Sequence, residues 1–168
     1  MKKLSILLPL VITLFGCYAQ SSAKQVETTA ESLCGKGEFV LSLPKDMDQY
    51  KQKMADFIQA GGTDPFDKTA FTDTCKKPRN GKIDLKDIAE QAALATLPYQ
   101  DAAKVLYFKQ KKETLYIVLS AQENGWAGVS TALGTSMPVI IRNIQLNSSI
   151  KDIKFGYAPG DEDLAIVK

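Results

Sequence analysis

Apolar and polar positions change their period along this chain, and the change divides it. Met47, Tyr50, Met54, Phe57 and Ile58 recur at helical spacing behind Asp46, and Gly61-Gly62 follows them. A capping acid, an apolar stripe and a glycine stop predict a helix ending near Ala60. Leu85, Ile88, Ala89, Ala92 and Leu97 repeat the pattern behind Asp84, with Pro98 as the stop and Lys86, Asp87, Glu90 and Gln91 on the wet face. Residues 63–82, rich in Thr, Asp, Pro, Lys and Gly, read as a loop with room for one helical turn.

The rest of the domain reads as strand. Phe39 to Leu43, ended by Pro44, is a short one. Val105–Lys109 and Thr114–Ser120 flank the polar stretch Gln110-Lys111-Lys112-Glu113, which predicts a hairpin, and Ile150 to Tyr157 predicts a further strand before the Pro159-Gly160 turn. Trp126 to Leu133 has no clear period. Val139 to Leu146 is β-branched and reads as a strand, yet Ser136 and Pro138 suit a helix start, so both readings stay open. No internal repeat is visible. Helices early and strands late predict an α+β fold: two N-terminal helices packed on a C-terminal antiparallel sheet, in one domain from 33 to 168.

Ahead of that domain stands a different kind of segment. Lys2 and Lys3 precede an apolar run from Leu4 to Phe15, the charged and hydrophobic regions of a secretory signal. The run is shorter than the roughly 20 residues a spanning helix needs. It ends in Leu14-Phe15-Gly16-Cys17. This resembles the lipobox of bacterial lipoproteins, in which Leu, a small residue, and Gly or Ala precede the Cys. Phe15 departs from that pattern, and the resemblance covers residues 1–17 alone. It implies removal of residues 1–16 and acylation of Cys17, whose several chains would hold a membrane where one would not. The alternative is cleavage near Ala19 or Ala23, releasing a soluble periplasmic protein. Residue 18 is Tyr where Asp would signal inner-membrane retention, so the resemblance leans towards the outer membrane. Residues 18–32 are small and polar and read as a flexible tether, with Cys17 making a lipidated tether of 17–32.

The resemblance also settles the cysteine arithmetic. Cys17, Cys34 and Cys75 are an odd set; lipidation of Cys17 leaves one pair, and the oxidising envelope makes a Cys34–Cys75 disulfide the expected outcome.

Composition narrows the chemistry. Lys and Arg number 21 against 19 acids, and removal of residues 1–16 takes two lysines and no acid, leaving the two signs equal. This argues against a nucleic-acid partner. Histidine is absent, which excludes Ser-His-Asp and Cys-His catalysis and histidine metal sites on this chain's own residues. Asn80 to Asp87 matches the second half of an EF-hand loop, but Lys76 and Pro78 stand where carboxylates are needed and the closing acid is the short Asp87. A turn and a helix cap at Asp84 explain the same residues. Ser148 and Lys151, like Ser21 and Lys24, have Ser-x-x-Lys spacing without its companion motifs. The acid pairs Asp64 with Asp67 and Asp161 with Asp163 read as solvated surface. No catalytic residue, metal or cofactor is therefore assigned. Trp126, the only Trp, lies between Gly125 and Gly128. It is either a core residue under the sheet, the favoured reading, or an exposed interaction anchor.

Three function classes follow. The first is a membrane-anchored envelope lipoprotein with a non-enzymatic, protein-binding or structural role. The second is a periplasmic immunity protein neutralising a secreted toxin. The third is an envelope hydrolase working without histidine.

Overall fold

A computed structural model describes residues 29–78 and 80–165. The expected signal peptide 1–16, the lipidation site Cys17 and the tether up to residue 28 lie outside the described residues. The fold is α+β. Its elements are α1 (Thr29–Cys34), β1 (Phe39–Pro44), α2 (Met47–Ala60), β2 (Phe71–Lys76), α3 (Leu85–Thr96), β3 (Val105–Lys111), β4 (Thr114–Leu119), α4 (Ser120–Glu123), α5 (Val129–Asn147) and β5 (Asp152–Phe155), with short 3-10 turns at Phe66–Lys68, Asp101–Ala103 and Glu162–Ala165.

Both predicted helix starts form as read. Asp46 accepts from the Gln49 N–H and Asp84 from the Lys86 N–H, each satisfying a donor that the first helical turn leaves orphaned. The predicted hairpin forms too, with a tighter loop: β3 pairs antiparallel with β4 as far as Lys111 opposite Thr114, so Gln110 and Lys111 belong to the strand. β5 joins the far side of β4 in parallel. The core lies between one face of this sheet (Val105, Leu115, Ile117, Leu119) and the buried faces of α3 and α5. Ala89, Ala92 and Ala93, all fully buried, let α3 lie close against α5, while Tyr50 and Met54 bring α2 onto the same core.

One open reading is decided and two expectations are corrected. Residues 139–146 are helix, not strand: α5 runs for 19 residues from behind Gly128, with Pro138 inside it. Its buried positions Val139, Ile140, Asn143, Ile144 and Asn147 are helically spaced, and the two asparagines hid that period. Pro138 has no N–H to give back to the helix, and one turn upstream the Tyr50 hydroxyl donates to the Thr135 carbonyl at 2.7 Å. Second, Phe71–Lys76 is a strand within the expected loop; it pairs antiparallel with β1, Phe39 opposite Lys76 and Pro44 opposite Phe71. Its exposed, polar side chains gave no pattern. Third, the ordered domain reaches back into the expected tether: α1 begins at Thr29, and Ala30 is buried where α1 packs on β1 and α5. The expected Cys34–Cys75 disulfide ties α1 to β2, with Cα atoms 5.4 Å apart.

The small sheet docks on α5 in an unusual manner. Asn147 Oδ1 accepts from the Val40 N–H and its Nδ2 donates to the Val40 carbonyl; Asn143 does the same for Ser42. All four bonds are 2.7–2.8 Å long. Two side-chain amides, one helical turn apart, thus replace a neighbouring strand along the edge of β1.

Candidate interaction surface

Trp126 sits in the short loop between α4 and α5. Two backbone features set it: the Val129 N–H donates to the Trp126 carbonyl, and Gly128 adopts φ 84°, a left-handed conformation that glycine takes at little cost. The indole is neither under the sheet nor free. One side packs against the hydrophobic core, and the ring stays half-buried. Its outer side meets Tyr99 edge-on, ring centroids 5.6 Å apart.

Tyr99 follows α3. Leu97 is buried and closes the helix through its N–H to the Ala93 carbonyl, and Pro98 then turns the chain outwards. Tyr99 is 61% exposed, the most open large hydrophobic side chain among the described residues. The two loops are held together: the Ser120 N–H, at the start of α4, donates to the carbonyl of Lys104, just after the 3-10 turn that follows Tyr99. Beside Tyr99 and Trp126 along the chain, Pro98, Gly125, Ala127 and Gly128 are all uncharged. Nearby, Lys104 bonds Asp101 at 2.7 Å and holds its carboxyl below the usual range. The sequence pointed to Trp126; Tyr99 carried no signal, because its partner is 27 residues away and only the fold joins them.

The other sequence candidates have local structural roles. Asp84 caps α3, and Asp87 accepts from the Gln91 amide inside the same helix. Lys82 and Lys86 line the same shallow hollow as these acids. Among the described residues no three His, Cys, Asp or Glu side chains gather to hold a metal ion. Ser148 donates to the Ile144 carbonyl at the end of α5. Asp64 accepts from the Phe66 N–H.

A cleft of about 780 Å³ lies between the start of α2 and residues 63–70. Lys45, Lys53 and Lys68 mix there with Asp46, Asp48 and Asp64, of which Asp46 and Asp64 are committed to backbone N–H groups. Tyr50 also lines it; burial, then the Asp64 charge, push its phenol far above the usual range, so it stays a neutral donor to Thr135.

Asp161 belongs to a strap. Residues 156–161 cross the outer face of the main sheet, where Asp161 accepts from the Tyr107 hydroxyl and Lys109 ammonium, both at 2.6 Å. Tyr157 packs on Tyr107 with the rings tilted by 57° and centroids 5.0 Å apart, and it donates its hydroxyl to Glu123.

No helix among the described residues is long and apolar enough to cross a membrane. Compared with protein-family models, curated proteins and solved structures, the chain gives no match.

Proposed function

We propose that this chain is a lipid-anchored protein of the bacterial envelope whose domain binds a protein partner, without catalysis, through the Tyr99–Trp126 corner. The anchor is read from Lys2-Lys3, the apolar run and Leu14-Phe15-Gly16-Cys17, and Tyr18 favours the outer membrane. The binding role is read from the aromatic pair.

The observation that carries the reading is the placement of these two features along α5. α1, where the described chain begins, packs near the C-terminal end of α5: its Cys34 reaches Cys75, which lies opposite Val40, which bonds Asn147. Trp126 precedes the other end. A helix of 19 residues is about 28 Å long, so the aromatic corner lies a helix length away from the anchored end. A Trp rooted in the core and edged by an exposed Tyr is preorganised: little side-chain freedom remains to be lost on binding.

Intact mass and membrane fractionation of the wild type against Cys17→Ser test the anchor. The reading requires a lipid mass increment and membrane pelleting that both vanish in the variant; an unlipidated, soluble wild type overturns it. Tyr99→Ala tests the corner. It should leave the unfolding midpoint almost unchanged and abolish partner binding, whereas Trp126→Ala should also cost about 1–3 kcal/mol of stability because its root packs on the core.

A further inference from the structure

Among the described residues the two sheets have four strand edges, and three of them are guarded. The edge of β1 is filled by the Asn143 and Asn147 amides. The edge strand β3 has a register irregularity between Val105 and Tyr107 and carries Lys109 and Lys111. β5 is only four residues long. Bulges, lysines and shortness are the usual protections of an edge.

β2 carries a lysine only at its last residue, Lys76, and has neither a bulge nor shortness to protect it. It is regular from Phe71 to Lys76, without proline or bulge. The β1 ladder shows which of its backbone groups are open. Val40 and Ser42 turn their N–H and C=O towards α5, so Phe39, Leu41 and Leu43 face β2, opposite Lys76, Thr74 and Thr72. Alternation then turns the N–H and C=O groups of Phe71, Asp73 and Cys75 outwards. Asp73 and Lys77 are exposed beside them. Among the described residues the cation paired with Asp73 is Arg142, 3.8 Å away, whose Nε is already given to Ser42 and whose guanidinium lies over the Phe71 ring.

We propose that a second copy of this chain pairs antiparallel on this edge, with Cys75 opposite the partner's Cys75 and Asp73 opposite the partner's Lys77. Charge selects the occupant and the register. Asp73 is on an outward-facing position and Lys77, the residue after β2, is four residues on, so extending the strand by that one residue and placing a two-fold axis at Cys75 brings unlike charges together twice. A two-fold at Asp73 would instead oppose like charges, which destabilises a pair. The chosen register makes about six main-chain hydrogen bonds between the copies and joins the two small sheets into one. It uses neither Cys17 nor the Tyr99–Trp126 corner and does not depend on them.

A zero-length carbodiimide, which joins a carboxylate to an amine in contact, tests the pairing on the full chain as cells produce it. Within one strand Asp73 and Lys77 are about 13 Å apart and cannot be joined, so an Asp73–Lys77 adduct arises only between two copies. The proposal expects that adduct in a dimer band. It expects the dimer to weaken about tenfold in Asp73→Lys and in Lys77→Asp, as two charge pairs turn repulsive, and to return in the double variant. Thermal unfolding of the three variants, compared at concentrations where every chain is monomeric, should stay within about 1 kcal/mol of the wild type, since Asp73 gives up only a half-exposed 3.8 Å pair with Arg142. A chain that stays monomeric, a dimer indifferent to these charges, a double variant that does not recover, or Asp73 joined only to a foreign protein would each overturn the proposal.

Discussion

The side-chain amide of Asn143 bonds the N–H and the C=O of Ser42, as a neighbouring strand would. Ser42 and Asn143 are both fully buried, so no water stands ready to replace that amide. Asn143 also donates to the Val139 carbonyl in its own helix, which fixes its rotamer.

Asn143→Ala should therefore cost about 2–4 kcal/mol, because two buried backbone groups lose their partners at once. Asn143→Leu, which nearly restores the volume, should recover little of that loss. Urea unfolding midpoints of the two variants check this. A Leu variant as stable as the wild type would mean that packing, not the amide, holds β1 to α5.

The Cys34–Cys75 bond closes a separation of 41 residues. Loop-closure entropy assigns such a bond about 4 kcal/mol. Cys34→Ser with Cys75→Ser should lower stability by that order and loosen α1 and β2 first. Hydrogen exchange should then show faster amides in Thr29–Cys34 and Phe71–Lys76 than in α3.

The strap over the main sheet makes a pH prediction. Bonds from Lys109 and then Tyr107 lower the Asp161 carboxyl below its ordinary 3.8. A depressed acid contributes stability above its unfolded value and loses it as pH falls through the folded value, so the strap should loosen in acid, below 3.8. Tyr157 is shifted upwards, chiefly by its bond to Glu123, and Lys109 upwards by Asp161. Those contributions are complete below the ordinary values of 10.0 and 10.5 and disappear as pH rises through the raised ones. Exchange of the Gly156 amide, bonded to the Ile117 carbonyl, reports both ends. Asp161→Asn should remove the acid limb of that profile.

Lys112 is the one non-glycine residue of positive φ among those described, at 58° in the β3–β4 turn. An L-residue there carries strain of about 1–2 kcal/mol, of which glycine's greater freedom in the unfolded chain takes back part. Lys112→Gly should stabilise the protein by up to about 1 kcal/mol, read as a rise in the unfolding midpoint.

Local chemistry made part of this fold legible. Asp46 and Asp84 begin helices because a carboxylate meets orphaned N–H groups there, and that signal is complete within four residues. The β3–β4 hairpin was equally local. What escaped was decided at long range. Asn143 and Asn147 look like polar interruptions of a strand until β1, a hundred residues earlier, supplies the groups they satisfy. β2 has no buried face to leave a period, being held by its ladder to β1 and by one disulfide. At the candidate site, Trp126 stood out by rarity alone. Tyr99 became part of it only when the loop after α3 met the loop before α5.

The claim that the aromatic corner is the binding surface is tested most directly by photo-cross-linking in cells. A photoreactive phenylalanine analogue replaces Tyr99 in one strain and the exposed Lys53, in the large cleft, in another. The account predicts one discrete protein adduct from position 99, lost when Trp126→Ala is added, and none from position 53. Adducts from position 53 alone, or an adduct from position 99 indifferent to Trp126, would contradict it.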